Sequence, residues 1–264
     1  MGVKSELDKF YTKAATVDRC LVSLSKYTNI SLWVEPSAGN GAFLHKLPVN
    51  RLGIDLEPNA PDILQQDFFT FNTKQRDVTG PVAVVGNPPF GRSSNLAIAF
   101  FNHAATFATV IAFIVPRTFK KQSVINKLNL NWELVHEETI PANSFYLVDG
   151  FDNSTDYNVP CVWQIWEKTA KPRVKVILPT THKDFQFVSK TYADFAIRRV
   201  GGLAGKCFTE FDDYSESSNY FLKGSETTYK KLDSLYSLFK DTARNVAGNP
   251  SLSKAELIDI YTNN

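Results

Sequence analysis

The strongest constraint on the fold is a series of short apolar runs that do not alternate. Residues 32–35, 51–55, 82–85, 110–115, 134–140 and 159–166 are rich in β-branched and other apolar side chains. Most are continuous, the pattern of strands covered on both faces. Helical periodicity separates several of them: residues 18–27 precede the first run, and residues 95–108 lie between the third and the fourth. Strands alternating with helices predict an α/β fold built on a doubly wound, mostly parallel sheet. The polar, turn-rich stretch 148–158 can join the last two strands as a hairpin, which would make the last strand antiparallel.

Composition excludes several classes. With 43% hydrophobic and 21% charged residues, the 264-residue chain has an ordinary globular balance. The formal net charge of +2 is too small for a protein that simply coats nucleic acid, so any such contact must come from local patches. Cys20, Cys161 and Cys207 have neither disulfide-framework nor metal spacing, and the four histidines form no cluster, so no metal site is expected. No apolar run approaches the ~18 residues of a membrane span. The polar start of the chain has no signal-peptide core. The expectation is a soluble, intracellular protein.

Four features carry chemistry. The first is the loop Glu35-Pro36-Ser37-Ala38-Gly39-Asn40-Gly41, which follows the first strand and reads as opening a helix. Its glycines allow a tight turn and a close approach to a ligand at the carboxyl end of a sheet. A glycine-rich turn without ligand is the bland alternative. The second is Asp55-Leu56 at the end of the second strand, where a carboxylate can accept from ribose hydroxyls or simply be a solvated acid. The third is Asp67-Phe68: the acid can take an adenine amino group, and the ring can pack on the adenine face. Phe69 reads as core. The fourth is Gly86-Asn87-Pro88-Pro89-Phe90-Gly91. Two prolines stiffen this loop. The Asn87 side-chain oxygen and the Pro88 carbonyl can accept both hydrogens of one amino group, and Phe90 can stack on the ring that carries it. Positioning rather than an ionisable base would then do the catalytic work. The bland alternative is a proline-rich turn that ends a strand.

Over roughly its first 170 residues the chain resembles the S-adenosylmethionine-dependent amino-methyltransferases that modify N6 of adenine or N4 of cytosine. Phe10-Tyr11-Thr12 is similar to their N-terminal cofactor motif. Glu35 to Gly41 resembles the loop at the methionine end, Asp55 the ribose acid, Asp67-Phe68 the adenine pocket and Asn87 to Phe90 the catalytic loop. The order of motifs resembles the gamma arrangement of DNA adenine methyltransferases, and Asn-Pro-Pro-Phe favours adenine N6. The resemblance implies a Rossmann-like methyltransferase fold, a seven-stranded sheet with its last strand antiparallel. It implies S-adenosyl-L-methionine as cofactor, held by Tyr11, Thr12, Glu35, Pro36, Ser37, Ala38, Gly39, Asp55, Leu56, Asp67, Phe68 and Asn87. It implies catalysis by Asn87, Pro88, Pro89 and Phe90 on a flipped base. Phe145 stands where family members place a second base-stacking aromatic; a core role and Tyr146 compete with that reading.

These features assign residues 1–170 to the catalytic domain and 171–264 to a small C-terminal region. After the basic junction Lys171-Pro172-Arg173, residues 171–223 read as an irregular or β-containing attachment. Residues 225–247 read as an amphipathic helix stopped by Gly248-Asn249-Pro250, and Ser253 and Glu256 have capping-box spacing. Arg198, Arg199 and Lys206 are the candidate nucleic-acid contacts, against an ordinary solvated basic strand; Arg92, Arg117, Lys120 and Lys121 can add a basic rim. The expected substrate is adenine in DNA. RNA, a protein glutamine amide and an inactive nucleic-acid-binding subunit are the alternatives, and a partner subunit can supply specificity. Members with this motif order often carry a long recognition domain. Fewer than 100 residues remain here for that task.

Overall fold

The computed structural model describes residues 10–148 and 153–264. The chain divides into two compact units, Met1–Lys175 and Val176–Asn264.

The first unit is built on β2 (Leu32–Glu35), β3 (Arg51–Asp55), β4 (Ile63–Gln65), β5 (Val82–Gly86), β6 (Val110–Pro116), β7 (Trp132–Thr139) and β10 (Cys161–Lys168). They form one sheet in the order β4-β3-β2-β5-β6-β10-β7. Only β10 runs against its neighbours, pairing antiparallel with both β6 and β7. This is the predicted fold class, with the antiparallel strand inserted second from one edge. Every residue of β5 and β6 is buried, as the unbroken apolar runs require. The edge strand β7 instead alternates less and more exposed positions after the buried Trp132.

Helix α1 (Ala14–Val22) precedes the sheet, and α2 (Asn95–Ala104) joins β5 to β6. Consecutive strand residues point to opposite faces, so Trp163 and Gln164 report on both. The Trp163 indole donates to Ser23 Oγ, just past α1, and stacks on Phe43. On the other face Gln164 accepts from Trp166, whose ring meets Phe101 of α2 edge-on. The sheet is therefore doubly wound. The short α3 (Gln122–Ile125) lies between β6 and β7.

Two local readings differ from the structure. The glycine loop after β2 continues not into an α-helix but into turns and one 3-10 turn at Leu44–Lys46, which Leu47-Pro48 ends. The connection from β7 to β10 is not a simple hairpin loop. It contains β8 (Phe145–Val148) and β9 (Ser154–Tyr157), which pair with each other. The N-terminal β1 (Tyr11–Thr12) adds to β8, with Thr12 opposite Phe145 and Tyr11 opposite Tyr146. The three make a small separate sheet. Residues 149–152 of this connection lie outside the described residues, as does the chain before Phe10.

The second unit has its own antiparallel sheet of β11 (Phe185–Val188), β12 (Phe195–Arg198), β13 (Cys207–Phe208) and β14 (Asn219–Gly224), in the order β11-β14-β12-β13. The helical tail is broken at Leu235 into α4 (Glu226–Ser234) and α5 (Tyr236–Ala243). Ser253 and Glu256 form the expected capping box on α6 (Lys254–Asn263). Phe195, Leu222, Leu232, Phe239 and Leu257 belong to its core. Among the described residues no helix is long and apolar enough to cross a membrane, and no group of three or more His, Cys, Asp or Glu could hold a metal ion.

Candidate active site

A cleft opens where the strand order reverses, at the carboxyl ends of β2, β3 and β5. Glu35 ends β2, Asp55 ends β3 and Asn87 follows β5, so three adjacent strand ends deliver three polar side chains to one place. Pro36, Ser37, Ala38 and Gly39 line the same cleft. Gly39 has φ +52°, and a Cβ there would lie 3.1 Å from the Tyr11 ring. Its left-handed backbone and the nearby tyrosine both favour a residue without a side chain.

Glu35 is fully buried. Its Oε2 accepts the Leu44 N–H at 2.6 Å, which ties the far end of the glycine loop back to β2. Burial pushes its carboxyl well above the usual range; the Leu44 and Phe43 amides oppose that shift, and the nearby Asp55 adds to it. Asp55 accepts from the Gly39 N–H at 2.7 Å through Oδ2 and from the Glu57 N–H at 2.8 Å through Oδ1. Each oxygen keeps a lone pair for a ligand hydroxyl. Leu56 beside it is exposed to the cleft.

At the next turn Asp67 caps a 3-10 turn, accepting the Phe69 N–H at 2.9 Å. That turn reverses the expected roles of the two phenylalanines. Phe68 is 2% exposed and stacks on Phe100, whereas Phe69 is 41% exposed. Both line the cleft, but Phe69 presents the open ring surface there and Phe68 anchors the turn in the core.

The loop after β5 is held from two sides. Ser37 Oγ donates to the Asn87 main-chain oxygen at 3.1 Å. The Asn87 amide donates through Nδ2 to Thr12 Oγ1 at 3.2 Å. That bond sets the orientation of the amide and leaves Oδ1 buried with no hydrogen-bond partner. Pro88 and Pro89 line the cleft next to it. Thr12 and Tyr11 reach the cleft because β1 is fixed on β8. Tyr11 stacks on Tyr146 at 5.5 Å and accepts from Asn59; Asn40 donates to the Tyr146 hydroxyl at 3.0 Å.

Phe90 and Phe145 stand apart from this open lining. They are 6% and 1% exposed, and the Phe10 ring lies against both. In the second unit Lys206 is exposed, with its ammonium over Phe208. Arg198 lies over the Tyr214 ring. Arg199 serves the unit's own structure: Nη1 donates to the Ser217 carbonyl at 3.0 Å, the guanidinium covers Tyr220, and Nε is buried without a partner. Of the candidate nucleic-acid contacts, Lys206 is thus the open one.

Sequence reasoning placed Phe10 and Asn40 inside cofactor motifs and weighed Tyr146 against Phe145, but it gave none of the three a contact of its own. Asn40 and Tyr146 act through each other across more than a hundred residues, so no local pattern marks the pair. Phe10 opens the Phe10-Tyr11-Thr12 motif but carries no polar atom to suggest its role.

No protein-family model matches this sequence, and no curated protein is a significant match to it. Several solved structures are similar in chain path. One is a candidate RNA methyltransferase from Pyrococcus horikoshii, with 15% identity over 64% of this chain and 90% of that one, and a TM-score of 0.48. Another is a candidate class I S-adenosylmethionine-dependent methyltransferase from Listeria monocytogenes, with 13% identity over 67% and 66% of the two chains and a TM-score of 0.46. A third is a methyltransferase subunit of a type I restriction-modification system from Streptococcus thermophilus, with 13% identity over 92% of this chain and 56% of that one, and a TM-score of 0.41. The fold class rests on the strand order itself, and the reading of the site on its own residues.

Proposed function

We propose that this chain is an S-adenosylmethionine-dependent methyltransferase that modifies the N6 amino group of adenine in DNA. The observation that carries the reading is the Asn87 amide. Its NH2 is committed to Thr12, and its oxygen is buried without a donor. A buried acceptor left unpaired costs about 1–3 kcal/mol, so the site gains when an amino group arrives.

The residues of the cleft fit the cofactor. Gly39 leaves a cradle that a Cβ would narrow against Tyr11. Asp55 has acceptor capacity for ribose hydroxyls, and Phe69 offers an exposed ring for the adenine moiety. Bound there, S-adenosylmethionine would supply an electrophilic methyl group on a sulfonium. The chain's contribution is positioning. Asn87 Oδ1 and the Pro88 carbonyl accept the two amine hydrogens, which turns the nitrogen lone pair out of the ring plane. Pro88 and Pro89 keep those acceptors from relaxing, so little reorganisation is needed at the moment of reaction. A target adenine must leave the stack to reach this depth. Lys206, with Arg198 nearby in sequence, is the basic element we assign to phosphate contacts.

The test is mass spectrometry of nucleosides after incubation of the protein with isotope-labelled cofactor and either DNA or RNA. N6-methyladenine in DNA, lost in Asn87→Ala while cofactor binding is kept, is the expected result. Label only in RNA would change the polymer. Full activity in Asn87→Ala would refute the role of the loop.

A further inference from the structure

Phe10 stands at the centre of an aromatic cluster. Its ring centroid is 5.1 Å from each of Phe90, Phe145 and Tyr157, at interplanar angles of 66°, 79° and 41°. It meets Phe90 and Phe145 nearly edge-on. Those are the two rings that the family resemblance sets against the target base, and neither lines the cleft itself. Phe10 therefore occupies space beside both rings that a flat base stacking there would need. Phe10 also lines the cleft alongside Asn87 and Pro88. A phenyl ring has no hydrogen to donate to the orphaned Asn87 oxygen.

The backbone allows this ring to move without dismantling the site. Strand β1 is registered on β8 through Tyr11 and Thr12, and Lys13 N–H donates to the Ser144 carbonyl at 2.9 Å. Phe10 precedes those paired residues, so turning it out breaks no bond of that ladder. Thr12 would keep its hold on the Asn87 amide throughout. Phe90 and Phe145 are almost fully buried while Phe10 is only partly so. The ring that can leave is the one nearest solvent.

We infer that Phe10 is a resident stand-in for the target base: it fills the slot between Phe90 and Phe145, and a purine enters only as the Phe10 ring turns out. This rests on the proposed activity, and it adds a residue that controls admission to the slot. Apparent affinity for a base is then reduced by the fraction of molecules with the slot open. If that fraction is roughly one tenth, removing the ring strengthens binding about tenfold.

The experiment measures adenosine binding to the full chain by ligand-observed NMR titration, with cytidine as the control nucleoside. It compares the parent, Phe10→Ala, Phe10→Leu and Phe10→Trp, and follows the thermal midpoint and cofactor binding of each. The expected order of adenosine affinity is Ala above Leu above the parent, with Trp no better than the parent and cytidine gaining less. Leucine fills most of the phenyl volume, so the comparison survives if the alanine variant is too unstable to use. Equal adenosine affinity in the parent and the smaller variants, with cofactor binding retained, would overturn the inference. Nucleoside mass spectrometry on the parent reports separately on the activity. A gain in adenosine binding without methylation by the parent would overturn the activity and keep the slot. Methylation without a gain would overturn the slot and keep the activity.

Discussion

Replacing Thr12 by valine keeps the shape of the side chain and removes one oxygen. That oxygen is the acceptor for Asn87 Nδ2 at 3.2 Å. Thr12 is buried and its main chain is paired with Phe145, so the valine should stay in register. The amide then loses the bond that orients it, and its NH2 is left without that partner. An orphaned buried donor costs about 1–3 kcal/mol. If the whole cost falls on the transition state, kcat drops roughly fivefold to 150-fold. The cofactor dissociation constant should change little, because the glycine loop and Asp55 do not depend on the hydroxyl. Thr12→Ser should restore most of kcat. Steady-state kinetics on DNA, with cofactor binding measured separately by calorimetry, makes the comparison. A valine variant with full kcat, or a serine variant as impaired as valine, would refute the reasoning.

Two further outcomes follow from the electrostatics and the surface. Burial raises the Glu35 carboxyl above its usual 4.5, so the stability it contributes is present below that range. It is lost as pH rises through the raised folded-state value; Glu35→Gln should flatten this fall in a series of thermal melts against pH. In the second unit Lys206→Ala should weaken DNA binding and reduce the slope of log affinity against log salt by about one. Arg199→Ala should instead lower the melting temperature through loss of its bond to Ser217 and its cover over Tyr220.

The main sheet was legible because its signal is local. Residues 110–115 are apolar without interruption, and the structure buries every residue of β6. The cleft residues at the strand ends were legible for the same reason: each follows a readable strand. What escaped depends on pairings distant in sequence or on one turn of backbone. Tyr11 and Thr12 form a strand only because β8 is there to receive them, and two residues have no periodicity of their own. Phe68 and Phe69 are chemically identical neighbours. The 3-10 turn capped by Asp67 decides which one is buried, and composition carries no trace of that choice. The break at Leu235 left no mark either, since the apolar face continues from α4 into α5. The helix expected after Gly41 yielded to Leu47-Pro48, which leaves room for a single 3-10 turn.

The addition of β1 to β8 separates the durability of the fold from that of the site. The large sheet is held by contacts among neighbouring crossovers. The wall that carries Tyr11 and Thr12 is held by a two-residue ladder on a ribbon far along the chain, by the bonds of Thr12 and Tyr11 to Asn87 and Asn59, and by the Lys13–Asp156 ion pair. Closing so long a loop costs entropy that these few bonds and ring contacts repay. That wall is therefore where local opening should be cheapest. The cleft can come apart and reform while the sheet stays intact, and a ligand that touches both the glycine loop and β1 would act as the clasp between them.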